Sequence, residues 1–262
     1  MVAELRPRGI GEMLDAAVAL YRVRFRRLVL TSLAVVAPVQ VLITVLLISA
    51  TNDDTTTTQG TNTQTGTLWV ALLLYTIVGL VVTALVSRTI GDAYIGANGA
   101  HATVRKRSPF ALVALVAIVS IVSAIGLAVC IFPGLLLLAL WAIAIPVMRL
   151  EGTGVFRSMR RSQQLAGGHY LLNLGLVSSG LLLWFVLTEA IGLGASQWIN
   201  HGASRTSALI AQGSGDLLAT AITTPLIATA IVVCYFDARI RKEAFDIQLQ
   251  MVQSTSELAP AQ

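Results

Sequence analysis

Few side chains in this sequence are spaced to do chemistry. Of the three histidines, His101, His169 and His201, no two stand four apart, and no Cys-x-x-Cys occurs, so no zinc-type ligand set can be drawn. A glycine-rich phosphate loop, a Gly-x-Ser-x-Gly elbow and an Asp-rich pair are also missing. Hydrolysis of a phosphodiester needs a metal or an acid/base pair to activate water and to stabilise the leaving oxygen. The nearest approach to such a set is Asp92, Glu151, His169 and Asp237, dispersed along the chain and able to act together only if the fold gathers them. The expectation is no catalytic residue, no metal and no cofactor. Cys130 and Cys234 fall near opposite ends of the spans described next, with most of a bilayer between them, so no disulfide is expected.

The elements that must carry these groups are hydrophobic. Of 262 residues, 55% are apolar and 12% are charged, about half the charge of an ordinary globular protein. This composition excludes a water-soluble protein, a disordered chain and a soluble enzyme on a single anchor. A hydrocarbon layer of about 30 Å takes about 20 helical residues. Six apolar runs with no charge near the middle approach or exceed that length: 28–50, 68–87, 110–132, 135–148, 171–193 and 217–236. Pro133 and Gly134 should break the helix between the third and fourth runs into a tight hairpin, since proline lacks an N–H and glycine tolerates a reversed backbone. The fourth run is short and carries Pro146 near its end. The chain 1–262 reads as a single all-α, polytopic membrane domain of six transmembrane helices, with amphipathic interfacial helices on the cytoplasmic side.

Seventeen of the eighteen Lys and Arg residues lie on one side of these runs and only Arg205 on the other. Short basic loops resist translocation, so this asymmetry, with an even number of spans, places both termini in the cytoplasm of a multi-pass cell-membrane protein. The first apolar run is 23 residues long and follows 27 others, which does not fit a cleavable signal peptide. Residues 51–67, rich in Thr, Asn, Gln and Gly with Asp53 and Asp54, have too little apolar surface to fold and read as an external polar loop. Residues 247–262 read as a flexible cytoplasmic tail. Trp69 and Trp198 at the external ends, and Tyr21, Phe25, Tyr170 and Tyr235 at the cytoplasmic ends, suit anchoring at the interfaces.

Helical periodicity predicts a basic collar at the cytoplasmic face. Over 10–25, Ile10, Met13, Leu14, Ala17, Val18, Tyr21 and Phe25 share one face, while Glu12, Asp15 and Arg22 fall on another. Over 154–166, Val155, Met159, Ser162 and Ala166 oppose Arg157, Arg160, Arg161 and Gln164. A weaker case surrounds Ile90, Ala93, Tyr94, Ala97 and His101. The collar offers Arg22, Arg26, Arg105, Lys106, Arg107, Arg157, Arg160, Arg161, Arg239, Arg241 and Lys242 as contacts for anionic lipid, although basic loops serve topology by themselves. Within the spans no charge lies near mid-bilayer; Glu189, near the external end of the fifth run, is read as hydrated or paired with Arg205. Gln40 is placed to satisfy carbonyls freed by Pro38. Small residues four apart at Ser120, Ala124 and Ala128, at Gly175 and Ser179, and at Thr220, Thr224 and Ala228 are close-packing stripes before they are a cavity lining.

Several local patterns coincide with one family: Leu5-Arg6-Pro7 followed by Gly9-Ile10-Gly11-Glu12-Met13-Leu14-Asp15, the Pro133-Gly134 pair, Glu151-Gly152 with Arg161-Ser162 ten residues on, and Tyr235-Phe236-Asp237 leading to Arg239, Arg241, Lys242 and Glu243. Over nearly its whole length the chain resembles the membrane domain attached to some glycerophosphoryl diester phosphodiesterases, and the stand-alone bacterial relatives of that domain. The phosphodiesterase barrel with its metal-binding carboxylates and histidines has no counterpart here, so the resemblance implies no activity. Three functions follow in order: a non-enzymatic membrane protein that binds lipid or serves as a subunit or scaffold; a transporter or lipid-translocating protein, on account of Pro38, Pro133, Pro146 and Pro225; and an enzyme on a lipid headgroup. Membrane lipids are the expected partners, with another membrane protein or a second copy of the chain beside them, and no nucleic acid.

Overall fold

The computed structural model describes residues 10–52, 60–96, 109–167, 170–202 and 204–243. They form α-helices, with no strand among the described residues: α1 (Ile10–Val23), α2 (Phe25–Asn52), α3 (Gly60–Gly96), α4 (Pro109–Val129), α5 (Ile131–Trp141), α6 (Ala144–Glu151), α7 (Val155–Ala166), α8 (Tyr170–Asn200) and α9 (Arg205–Glu243). Six segments, Phe25–Ser49, Trp69–Gly91, Phe110–Leu127, Phe132–Glu151, Asn173–Trp198 and Arg205–Glu243, are long and apolar enough to cross a membrane. The chain is an all-α, multi-pass membrane protein.

α9 is the axis of the bundle. It packs against α1, α2, α3 and α8, and its lower half from Ala228 to Asp237 is buried residue after residue. Ala219, Thr220, Thr223 and Ala228 keep that surface thin, and the threonine hydroxyls return their hydrogen bonds to the helix itself: Thr223 Oγ1 donates to the Ala219 carbonyl at 2.8 Å and Thr229 Oγ1 to the Pro225 carbonyl at 2.7 Å. Neighbouring backbones approach closely without unpaired hydroxyls facing hydrocarbon. At 39 residues α9 is about 60 Å long, twice the hydrocarbon thickness, so its ends project beyond the membrane.

α1 is a separate helix laid on this axis. Met13 and Ala17 pack against Ala230 and Val233, and Tyr21 reaches the Ile222 carbonyl at 2.9 Å. Glu12, Asp15 and Arg22 remain exposed, as the periodicity requires, but Leu14 and Phe25 are exposed as well, so the apolar stripe is only partly absorbed by the bundle. A kink at Arg24, whose Nη1 donates to the Thr89 carbonyl at 3.1 Å, leads into α2.

Several boundaries differ from the sequence reading. The break between α4 and α5 falls at Cys130, and Pro133 sits in the first turn of α5, where its missing N–H has no helical partner to lose. Gly134 acts by being small: a Cβ there would lie 2.5 Å from the Leu127 backbone nitrogen, so it is what lets the two helices cross so tightly. The fourth span is interrupted at Ala142, four residues before Pro146, whose ring denies the Ala142 carbonyl its donor; α6 then carries the span on to Glu151. Residues 51–52 and 60–67, read as loop, continue α2 and α3, and 194–200 and 205–216 are helical too, because lengthening an existing helix avoids the cost of nucleating one. Residues 90–96 are the end of α3 and not a separate interfacial helix. The tail 247–262 lies outside the described residues.

Candidate functional site

Gly152, at φ 65°, ends α6 in the left-handed region that glycine alone enters without strain, and its N–H closes on the Met148 carbonyl at 3.2 Å. The turn it makes lays α7 across the end of the bundle. Thr153 Oγ1 and Ser158 Oγ are 2.6 Å apart, Ser158 Oγ donates to the Gly154 carbonyl at 2.8 Å, and Ser162 Oγ donates to the Leu140 carbonyl at 2.7 Å. These buried hydroxyls fix the rotation of α7 about its axis. Leu165 and Ala166 therefore face inward, while Arg157, Arg160 and Gln164 are exposed.

Between α6, α7 and α9 an ionic clasp forms. Glu151 accepts from Arg161 Nε at 3.3 Å and from the Tyr235 hydroxyl at 3.0 Å, with Arg239 Nε 3.9 Å away. Glu243 accepts from Arg239 Nε at 3.0 Å and from Arg161 Nη2. Two guanidiniums and two carboxylates thus alternate, and the Arg239 guanidinium also lies 5.8 Å from the Tyr235 ring centroid. Partial burial works against ionisation of both Arg161 and Glu243, but their mutual hydrogen bonds and charges win: the Arg161 pKa is held above its ordinary value and that of Glu243 below. Opposite this clasp, Arg241 Nε donates to Asp237 Oδ2 at 2.6 Å, Lys242 Nζ donates to the Gln164 carbonyl, and the Cys234 thiol donates to Asn173 Oδ1 at 3.0 Å.

The cations offered by sequence for lipid contact thus fall into three groups. Arg161, Arg239, Arg241 and Lys242 each hold a partner within the protein, Arg241 and Lys242 while remaining exposed. Arg22, Arg26, Arg157 and Arg160 are exposed. Arg105, Lys106 and Arg107 lie outside the described residues. An open cleft of about 510 Å³ lies over the clasp, lined by Glu151, Thr153, Arg157, Arg160, Arg161 and Gln164.

The quartet considered for catalysis is not assembled by what is described. His169 and the side chain of Asp92 lie outside it. Glu151 meets the Tyr235–Arg239 face of α9, and Asp237, two residues on, points to the opposite face with Cys234 and Arg241. Both carboxylates are committed to arginines. No group of three His, Cys, Asp or Glu able to hold a metal occurs among the described residues. Cys130 is exposed and Cys234 buried, and both are free thiols.

A second polar cluster lies toward the other end of the bundle. The Tyr75 hydroxyl donates to Gln40 Oε1 at 2.6 Å, so the acceptor side of Gln40 ties α2 to α3. Trp184 Nε1 donates to Thr220 Oγ1 at 3.0 Å and its ring meets Tyr75 edge-on, with centroids 5.3 Å apart. Asp216 stands beside this group with Oδ1 buried and without a hydrogen-bond partner, and Glu189 adds like charge to its surroundings. Glu189 makes no ion pair with Arg205 among the described residues. Of the small-residue stripes, Thr220 and Ala228 are buried as expected, whereas Gly175 and Ser179 face outward and the close approach of α8 falls at Gly180, against Ile227. Compared with known protein families, with curated proteins and with solved structures, the chain has no match.

Proposed function

We propose that this protein is a non-enzymatic, multi-pass cell-membrane module, both termini cytoplasmic, that holds anionic lipid at its basic cytoplasmic face and serves there as a subunit or scaffold. The observation that carries the reading is α7: its buried hydroxyls hold it across the bundle end with Arg157 and Arg160 outward and without a partner among the described residues. Each arginine near a membrane surface adds about 1 kcal/mol of attraction to anionic lipid, and salt screens it. The commitment of Glu151 and Asp237 to ion pairs removes the best candidates for acid/base work and supports a role without catalysis. The resemblance to the phosphodiesterase-associated membrane domain without its barrel fits the same reading.

Native mass spectrometry of the detergent-purified protein tests it. Anionic phospholipid adducts should outnumber zwitterionic ones, decline as salt rises, and decline further in the Arg157→Gln/Arg160→Gln/Arg161→Gln variant, with no turnover of glycerophosphodiesters or phospholipids in the presence of divalent metals. Adducts indifferent to salt and to the triple change overturn the lipid role; robust turnover lost on changing Asp92, Glu151 or Asp237 overturns the non-enzyme role. One observation favours translocation as a second reading: the Gln40–Tyr75 pair beside Asp216 is a polar patch within a six-span bundle. Flux in proteoliposomes that Asp216→Asn abolishes would favour it.

A further inference from the structure

Resting on the lipid-binding reading, the geometry points to a particular ligand for the cleft over the clasp: we infer that it takes a lipid phosphomonoester, a headgroup carrying two negative charges on one phosphate. Arg161 and Arg239 are opposed by Glu151 and Glu243, so these four groups sum to zero. Lys242, also of α9, donates to the Gln164 carbonyl and is not among the residues that line the cleft. What remains facing the opening is the pair Arg157 and Arg160, three residues apart on one face of α7, two positive charges with no carboxylate partner among the described residues.

Guanidinium forks match phosphate oxygens, and two of them around one phosphate balance a dianion better than the single charge of a phosphodiester. The Thr153 hydroxyl lines the same opening. At about 510 Å³ the cleft far exceeds a bare phosphate and has room for the glycerol it is attached to. Its position selects the source. Phe156, beside Arg157, is 78% exposed, and Phe110 at the start of the neighbouring α4 is 82% exposed. A bared apolar ring next to basic side chains on an amphipathic helix is the pattern of a helix lying at the boundary of headgroup and acyl chain, so the phosphate arrives on a lipid and its chains leave past Phe156.

The test uses the full-length protein in detergent titrated with phosphatidic acid, with phosphatidylglycerol as a monoanionic phosphodiester control, and with inorganic phosphate as competitor, read by native mass spectrometry. At pH 7.5 phosphatidic acid should be retained about tenfold better than phosphatidylglycerol. That preference should shrink towards pH 5 as the second phosphate proton, with its pKa near 6, returns. Arg157→Gln/Arg160→Gln should lower retention of phosphatidic acid about thirtyfold and abolish the preference, while Arg205→Gln, at the other end of α9, leaves both intact. Arg157, Arg160 and Arg205 are all exposed, so loss of fold does not confuse the comparison, and unchanged helical circular dichroism verifies it. Equal retention of the two lipids, a preference that survives the double change, or displacement by an equal concentration of inorganic phosphate overturns the inference. Salt-sensitive binding of both lipids without preference sinks this inference alone, whereas no salt-sensitive binding of either also removes the function it rests on.

Discussion

Replacing Gly134 with alanine sets two effects of known sign against each other. A Cβ at this position falls 2.5 Å from the Leu127 backbone nitrogen and 2.5 Å from Leu127 Cγ, with Gly126 on the facing helix equally bare. The leucine side chain can rotate away, but the backbone nitrogen cannot, so α4 and α5 must part by about 1 Å to reach ordinary contact distance. Overpacking costs about 1–3 kcal/mol, and because backbone must move the cost should fall near 3; the alanine returns about 1 kcal/mol of helix propensity. The net loss is about 2 kcal/mol. The same change at Gly79, in the middle of α3, meets nothing within 4 Å and should gain up to about 1 kcal/mol. The two variants should therefore differ by about 3 kcal/mol, more than a hundredfold in the unfolding equilibrium. Reversible unfolding by sodium dodecyl sulfate in mixed micelles, followed by helical circular dichroism, measures both. Equal stability of Gly134→Ala and Gly79→Ala would refute the close crossing as the reason for glycine at 134.

Three other outcomes are expected. Glu243 ionises below its ordinary 4.5 in the folded protein, so its contribution to stability is full above that value and disappears as pH falls through the lowered one. Glu243→Gln should flatten the acid limb of the unfolding profile between about pH 5 and 3, and an unaltered limb would show the clasp to be idle. Tyr235→Phe removes the hydroxyl that Glu151 accepts at 3.0 Å and should cost about 1.5 kcal/mol in the same unfolding assay, with a coupling to Glu151→Gln that vanishes only if the hydrogen bond is absent. Cys130, exposed at the α4–α5 turn, should react with a membrane-impermeant maleimide in intact cells while buried Cys234 does not; reaction only after permeabilisation reverses the proposed orientation.

The apolar runs were legible because a span announces itself by length: every one of the six has a helix in the corresponding place. The face of α7 was legible from its period, since Val155 and Met159 on one side and Arg157 and Arg160 on the other need only 100° per residue. What was not legible depends on partners distant in sequence. Arg161 and Arg157 look alike in the chain, yet one is captured by Glu243, 82 residues away, and the other is not. The bond that Gln40 Oε1 accepts from Tyr75 cannot be read from the chain, because the tyrosine stands 35 residues off on another helix. Asp216 stands at the edge of an apolar run, where a carboxylate reads as hydrated; that its Oδ1 is buried depends on the packing of other helices around it. Pro133 misled in another way: proline punctuates helices, but its place in a first turn or in a break is set by where the preceding helix ends.

The unequal lengths of the helices bear on the lipid around them. α3 and α9, at 37 and 39 residues, are longer than a hydrocarbon layer requires, whereas α4 has 21 residues and the interrupted span from Phe132 to Glu151 has 20. A membrane must meet each helix at its own hydrophobic height, and mismatch costs fractions of a kcal/mol per ångström. The apolar stretch of α3, Trp69–Gly91, has 23 residues and that of α4, Phe110–Leu127, has 18, so a bilayer that meets both without tilt is about 7 Å thinner beside α4 than beside α3.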